Sequence, residues 1–378
     1  MKNIKFFKAH IDKLERELIE QALCDSESKF VNSFEDDIKN FFSVKHAVAT
    51  NNGTNAIHLA LCAMDIKRGD KIICSVNSFP NIASCIRQFD AEPILVDIDT
   101  NSFNISPTAL EKSVKVFKHK KLKCAFITHV GGLSADMDEI YEIANSENIK
   151  IIDDASRAMG ATYKGKKIGS IKNSYISCFQ INPQAQDAIS TAGFFTTNDD
   201  DIAKQAFLLR NNGFVSDDFD KDGNLKYIYD IKQIGHKFDI NSINAAYAKA
   251  QLAKTNFFIK RRAHIAKIYT TELCDCPHIT LPVAKDEHIY SQYIIKVDKN
   301  RDDFAREMIK NGINVSLHYI PIHLLSYYKK KYGYKVNDFP NVLKVYQQIL
   351  SLPIYAALSD DEVYYICKTV KEIASKRV

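Results

Sequence analysis

Short apolar runs, uninterrupted by alternating polar residues, recur through the first half of the chain and constrain its fold most. They fall at 71–75, 92–96, 124–128, 149–153, 175–179 and 193–197. A strand that is apolar at successive positions is covered on both faces, as in a parallel sheet. Stretches of helical periodicity lie between several of these runs, at 81–89, 107–116 and 136–146. The alternation predicts an α/β fold, with a mostly parallel sheet between two layers of helices. Ligands of such sheets sit beyond the carboxyl ends of the strands. The residues just after each run are therefore the first place to look for chemistry.

Around this centre the periodicity predicts helices at 11–24, with Ile11, Leu14, Leu18 and Ile19 on one side, at 29–42 and at 55–64. Further helices are expected at 201–210 and 243–266, the latter long enough to connect two domains. After about residue 267 the pattern becomes that of a smaller α+β unit, with a strand at 290–297 and helices at 302–311 and from 360 onward. A chain of 378 residues suits this division, a large domain over 1–255 and a small one over 256–378.

The formal net charge of +5 is mild, and the basic runs at 118–121 and 329–331 have no interleaved aromatic stripe. Solvated faces explain them, and no nucleic-acid partner is expected. The nine cysteines form no CxxC pair, and several sit in apolar runs, such as Cys74 and Cys367. They read as reduced core thiols of a cytoplasmic protein, without a metal site; Cys274 and Cys276 are too few ligands for zinc. No signal peptide and no run of about 18 apolar residues is present, so no membrane span is expected.

Two sequence features combine binding and charge at expected strand ends. Asn51-Asn52-Gly53-Thr54 is a turn that opens a helix. A helix N-terminus presents free N–H groups to an anion, Gly53 permits close approach, and Thr54 adds a hydroxyl; an ordinary N-cap reads the same way. Asp153-Asp154 closes the run at 149–153. A carboxylate there can hold a proton on a pyridine nitrogen and make the ring an electron sink, or can merely cap a helix.

Taken with later segments, these features resemble the DegT/StrS family of pyridoxal-phosphate (PLP) sugar aminotransferases, from about Phe34 to the C-terminus. The stretch Asp153-Asp154-Ala155-Ser156-Arg157-Ala158-Met159-Gly160-Ala161 is similar to the family's acidic-Asp-Ala-Ala-Gln-Ala-His-Gly-Ala segment. Gly235-His236-Lys237-Phe238, Leu317-His318-Tyr319-Ile320-Pro321-Ile322-His323 and Leu350-Ser351-Leu352-Pro353-Ile354-Tyr355 follow in the family's order. The resemblance implies a type I aminotransferase-like fold with PLP as cofactor, passing through pyridoxamine phosphate (PMP). It implies that Gly53 and Thr54 hold the phosphate, that Phe79 stacks on the ring and that Asp154 pairs with the ring nitrogen. It implies that Lys237 reaches the cofactor of a neighbouring subunit in a homodimer with shared sites. His318, Tyr319 and His323 would border the substrate, although ordinary interdomain packing also explains the two histidines. Glutamate would give the amino group, and a nucleotide-linked keto-deoxysugar for cell-surface glycan would receive it. A small phosphorylated ketone is the alternative acceptor.

The chain departs from the family at the residue the chemistry needs most. Phe179-Gln180-Ile181-Asn182-Pro183-Gln184-Ala185 aligns without a gap on the family's Phe-Ser-Phe-x-Pro-x-Lys, which puts Ala185 in place of the Schiff-base lysine. That lysine holds the cofactor and then moves a proton, and alanine can do neither. The chain is then an inactive Lys-to-Ala variant that traps cofactor with an amine, or a natural non-catalytic binder of PLP or a sugar nucleotide. The otherwise intact cofactor site favours the variant. Gln180 replaces the family's phosphate-binding Ser, and Arg157 replaces a Gln near the cofactor hydroxyl. A guanidinium there favours the phenolate, or else forms a surface salt bridge.

Overall fold

The apolar runs assemble into one seven-stranded sheet, in the order His46–Thr50, Ala192–Thr197, Ile176–Ile181, Lys150–Asp154, Leu122–Thr128, Lys71–Ser75, Glu92–Val96. The computed structural model describes residues 3–25, 29–181, 192–215, 229–285 and 287–377. Four neighbouring pairs in the sheet are parallel. Ala192–Thr197 runs antiparallel to both of its neighbours. The sheet is thus mixed but mostly parallel, as the uninterrupted apolar runs predict. Pairing rather than hydropathy sets the strand ends. Gln180 and Ile181 continue their strand because they pair with Gly193 and Ala192.

The helices begin where side chains satisfy their first amides. Ser106 caps Pro107–Phe117, Asp199 caps Asp200–Arg210, and Ser359 forms a capping box with Glu362 at the start of Asp360–Ser375. Lys29–Phe42 buries Val31, Phe34, Ile38 and Phe42, which lie three or four residues apart and so share one face.

The long helix expected at 243–266 is instead two, Ser242–Ala253 and Thr255–Leu273. The break is at Lys254, where ψ is 3°. Its ammonium is tied to Asp12 and Glu15 of the N-terminal region. The strand expected from residue 290 starts at Tyr293 and pairs with Ile349–Leu352. Around this small sheet Tyr269, Phe304, Ile366 and Val370 form a separate apolar core, joined by Ile4.

All nine cysteines are free. Burial pushes Cys74 and Cys85 up to about 12, so these thiols are protonated packing groups. No helix among the described residues is long and apolar enough to cross a membrane.

Candidate active site

The turn at 51–52 lies between His46–Thr50 and the helix Gly53–Ala63. The side chain of Asn52 accepts from the Asn55 amide at 2.9 Å and caps the helix. Its backbone carbonyl accepts from the Thr50 hydroxyl, also at 2.9 Å. Gly53 is the first helical residue, two positions earlier than expected, and Thr54 beside it is exposed. Two close approaches explain the glycines here. A Cβ on Gly53 would lie 2.8 Å from Cβ of Gln180, and one on Gly193 would lie 2.2 Å from the Asn52 carbonyl oxygen. Gln180 therefore packs directly against the helix N-terminus.

The two aspartates at the end of Lys150–Asp154 face different partners, as successive strand residues must. Asp153 is fully buried, accepts from Ser177 Oγ at 2.7 Å and lies 3.5 Å from His129 Nε2. It sits inside the strand and caps no helix. Asp154 accepts from Thr128 Oγ1 at 3.3 Å and from the Ser156 amide at 3.2 Å. Asp154 is also buried, and its hydrogen bonds among the described residues come from these neutral donors.

Arg157 follows in a turn, not at the start of a helix. Its Nε donates to Tyr319 OH at 3.4 Å, and its buried Nη1 has no partner among the described residues. Tyr319 sits edge-on to Phe79, with ring centroids 6.3 Å apart. Asn77 anchors this corner. It accepts from the Tyr319 amide at 3.3 Å and donates to the Phe103 carbonyl at 3.2 Å. Phe79 is 56% exposed, with a large apolar ring free at the carboxyl edge of the sheet. His318 stacks on Phe6 and shares a 2.8 Å hydrogen bond with Ser351. Burial, and then the Arg157 charge, push His318 down to about 3, so it is a neutral group at this edge.

The structure thus brings Gly53 against Gln180, and Arg157 against Tyr319, with Phe79 and His318 flanking Tyr319. It does not bring His323 or Lys237 to that group. His323 is fully buried, with Nε2 on the Val336 carbonyl at 3.1 Å and its ring against Phe339. Lys237 is exposed and bonds Asp239 and Asn211. Ala185 lies outside the described residues. Thr128, His129 and Asn77 were missed in the sequence, although all three sit at or just past strand ends. The only signal for them was that position.

Among the described residues, His58, Cys62 and His236 bring three possible metal-ligand atoms within 4.8 Å of one another. Packing accounts for the group. Cys62 Sγ lies 3.4 Å from His58 Nδ1, His236 stacks on Phe238, and burial pushes His58 down to about 4.

The site fits PLP on three observations. A buried carboxylate, Asp154, has no cation beside it among the described residues and would complement a protonated pyridine nitrogen. A buried guanidinium nitrogen lacks an acceptor and would complement an anionic oxygen. A helix begins at Gly53, and the first N–H groups of a helix have no acceptor within it, which suits phosphate.

Comparisons with known proteins agree. The profile of the DegT/DnrJ/EryC1/StrS aminotransferase family matches residues 8–371. The spore coat polysaccharide biosynthesis protein SpsC of Bacillus subtilis is 34% identical over 352 residues, covering 91% of this chain and 89% of that one. GDP-perosamine synthase of Caulobacter vibrioides is 29% identical over 373 residues, covering 94% and 93%. The solved structure of S. venezuelae DesV superposes with a TM-score of 0.86 at 25% identity, covering 96% and 95%. The chain belongs to the DegT/DnrJ/EryC1/StrS aminotransferase family, whose cofactor is pyridoxal phosphate.

Proposed function

We propose that this site is built to move an amino group from glutamate to a keto group of a nucleotide-linked deoxysugar for cell-surface glycan. We propose too that the chain with Ala185 binds the reactants without turning them over. The observation that carries the reading is Asp154, a buried carboxylate at the carboxyl edge of the sheet whose hydrogen bonds come from neutral donors. The acceptor class is supported by the relatives, one named for polysaccharide biosynthesis and one for a GDP-linked sugar.

PLP, when bound, supplies an electron sink for the carbon that bears the amino group. The chain's own residues supply the rest. Asp154 holds a proton at the pyridine nitrogen, while Thr128 and the Ser156 amide fix its carboxylate. The amides at Gly53 bind phosphate, with the Thr54 hydroxyl beside them. Phe79 covers one ring face, and Tyr319 orients Arg157. Gln180, packed on Gly53, stands where the family has a phosphate-binding hydroxyl. The missing part is an amine at position 185. Alanine can neither attach the cofactor nor carry the proton between carbons.

The same reading includes a cytoplasmic homodimer, in which Lys237 reaches the neighbouring subunit's phosphate and His318 and Tyr319 border the sugar, while His323, buried under Phe339, packs behind them. The test is Ala185→Lys. The substituted protein should release 2-oxoglutarate from glutamate and aminate a nucleotide-linked keto-sugar, while the unsubstituted chain should do neither. A substituted protein that binds PLP but ignores glutamate would remove the donor from the proposal.

A further inference from the structure

A cavity of about 90 Å³ runs from Arg157 to the helix Thr255–Leu273. Lys8, His10, Arg157 and Arg262 line it, and among the described residues no Asp or Glu does. The two arginines bond only neutral oxygens among the described residues. Arg157 Nε reaches Tyr319 OH, and Arg262 Nε reaches the Ile289 carbonyl at 3.2 Å. Two buried polar atoms at the cavity have no partner among the described residues, Arg157 Nη1 and Ser291 Oγ, and Ser291 is only 2% exposed.

These groups are held together by one crossing of loops. Gly132 has a φ of +88°, and a Cβ there would fall 2.6 Å from Ile289 Cγ1 and 3.0 Å from both the Arg157 carbonyl and Ser291 Oγ. The Ile289 amide donates back to the Gly132 carbonyl at 3.2 Å. The backbone of Arg157, the hydroxyl of Ser291 and the carbonyl that anchors Arg262 are thus fixed around a single glycine.

Cations withdrawn from water without a counter-charge are costly, and the cost is removed when an anion is bound. Burial pushes Arg262 down to about 10, which still leaves it cationic at neutral pH. Guanidinium forks match the planar carboxylate, which accepts two parallel hydrogen bonds. Roughly 10–15 Å³ of such space holds one water, so this cavity accommodates a carboxylate with several carbons of its chain.

We propose that Arg157 and Arg262, with Ser291, seat a carboxylate of the amino donor and so select dicarboxylic donors. The proposal rests on the aminotransferase reading above. Arg157 thereby has a role that the family's glutamine cannot fill, and Arg262 is a specificity-determining residue outside every motif in the sequence.

The test uses glutarate, a dicarboxylate with no amino or keto group, titrated into the PMP-loaded protein by calorimetry. Glutarate should bind, and Arg262→Met should weaken it by about tenfold or more, the loss expected for a charge-assisted fork. Arg262→Lys should retain more affinity than Arg262→Met. PMP affinity, read separately by absorbance, should not change in either variant. The seat is overturned if glutarate does not bind, if Arg262→Met leaves it unchanged, or if both variants lose it equally with lowered melting temperature. It is also overturned if Arg262→Met weakens pyrophosphate more than glutarate, since the seat would then serve phosphate. Should PMP fail to bind while glutarate still depends on Arg262, the cofactor reading falls and the carboxylate seat stands.

Discussion

Gly193→Ala is a small substitution aimed at the phosphate turn from the far side of the sheet edge. The added methyl carbon would lie 2.2 Å from the Asn52 carbonyl oxygen, 2.3 Å from its carbon and 2.5 Å from the Gly53 amide nitrogen. Non-bonded carbon contacts are comfortable at about 3.5 Å or more, so the overlap exceeds roughly one ångström. All three atoms are backbone, so no rotamer change relieves it. Gly193 pairs with Thr50 on one side and Gln180 on the other, so the strands must part or the turn must move. Overpacking of this kind costs about 1–3 kcal/mol of stability. The displaced amides are the ones proposed to meet phosphate, so PMP affinity should fall on the order of tenfold. Unphosphorylated pyridoxamine provides the internal control, because its affinity should barely change. The assay is a titration of both ligands, with melting temperature alongside. Unchanged PMP affinity at a lowered melting temperature would refute the role of the turn. No change in either would refute the overlap itself.

Asp154→Asn, made together with Ala185→Lys, should cost about a hundredfold in rate or more, because the electron sink weakens. Asp153→Asn, on a carboxylate that faces Ser177 and His129, should cost less, and equal small losses would remove Asp154 from the cofactor. Burial pushes His58 and His288 down to about 4, below the ordinary 6.5, so the folded state binds their protons less well than the unfolded state. Their contribution is present above 6.5 and is lost as pH falls toward 4. The loss reaches about 2 kcal/mol per histidine at pH 5. Denaturant midpoints at pH 7.5 and pH 5 check this, and coinciding midpoints would contradict it. Light scattering at micromolar concentration should give a dimer; a monomer with cofactor bound would exclude a shared site.

The central sheet was legible because its strands carry consecutive apolar residues, such as Ile72-Ile73-Cys74 and Ile151-Ile152, a pattern that surface helices do not show. The ends were less legible. Gln180 belongs to a strand only because Gly193 lies opposite it. The break at Lys254 left no trace, since the helical period runs through it without glycine or proline and its cause is a contact with Asp12 and Glu15. In the site, Gly53, Asp154 and Arg157 could be read from motifs beside strand ends. Arg262 could not, because it is one of several basic residues on a helix and acquires its setting only where Ile289 packs against Gly132. His318 and His323 look alike in sequence. Packing separates them, one beside Tyr319 and the other under Phe339.

By the function proposed above, this chain carries a PLP site complete except for the amine at position 185. Borohydride reduction of PLP-loaded protein, followed by peptide mass mapping, tests it most directly. Ala185→Lys should yield one cofactor fixed at position 185, and the unsubstituted chain should bind PMP without fixing PLP there. Cofactor fixed at a different lysine of the substituted protein, or none fixed at saturating PLP, would contradict the claim.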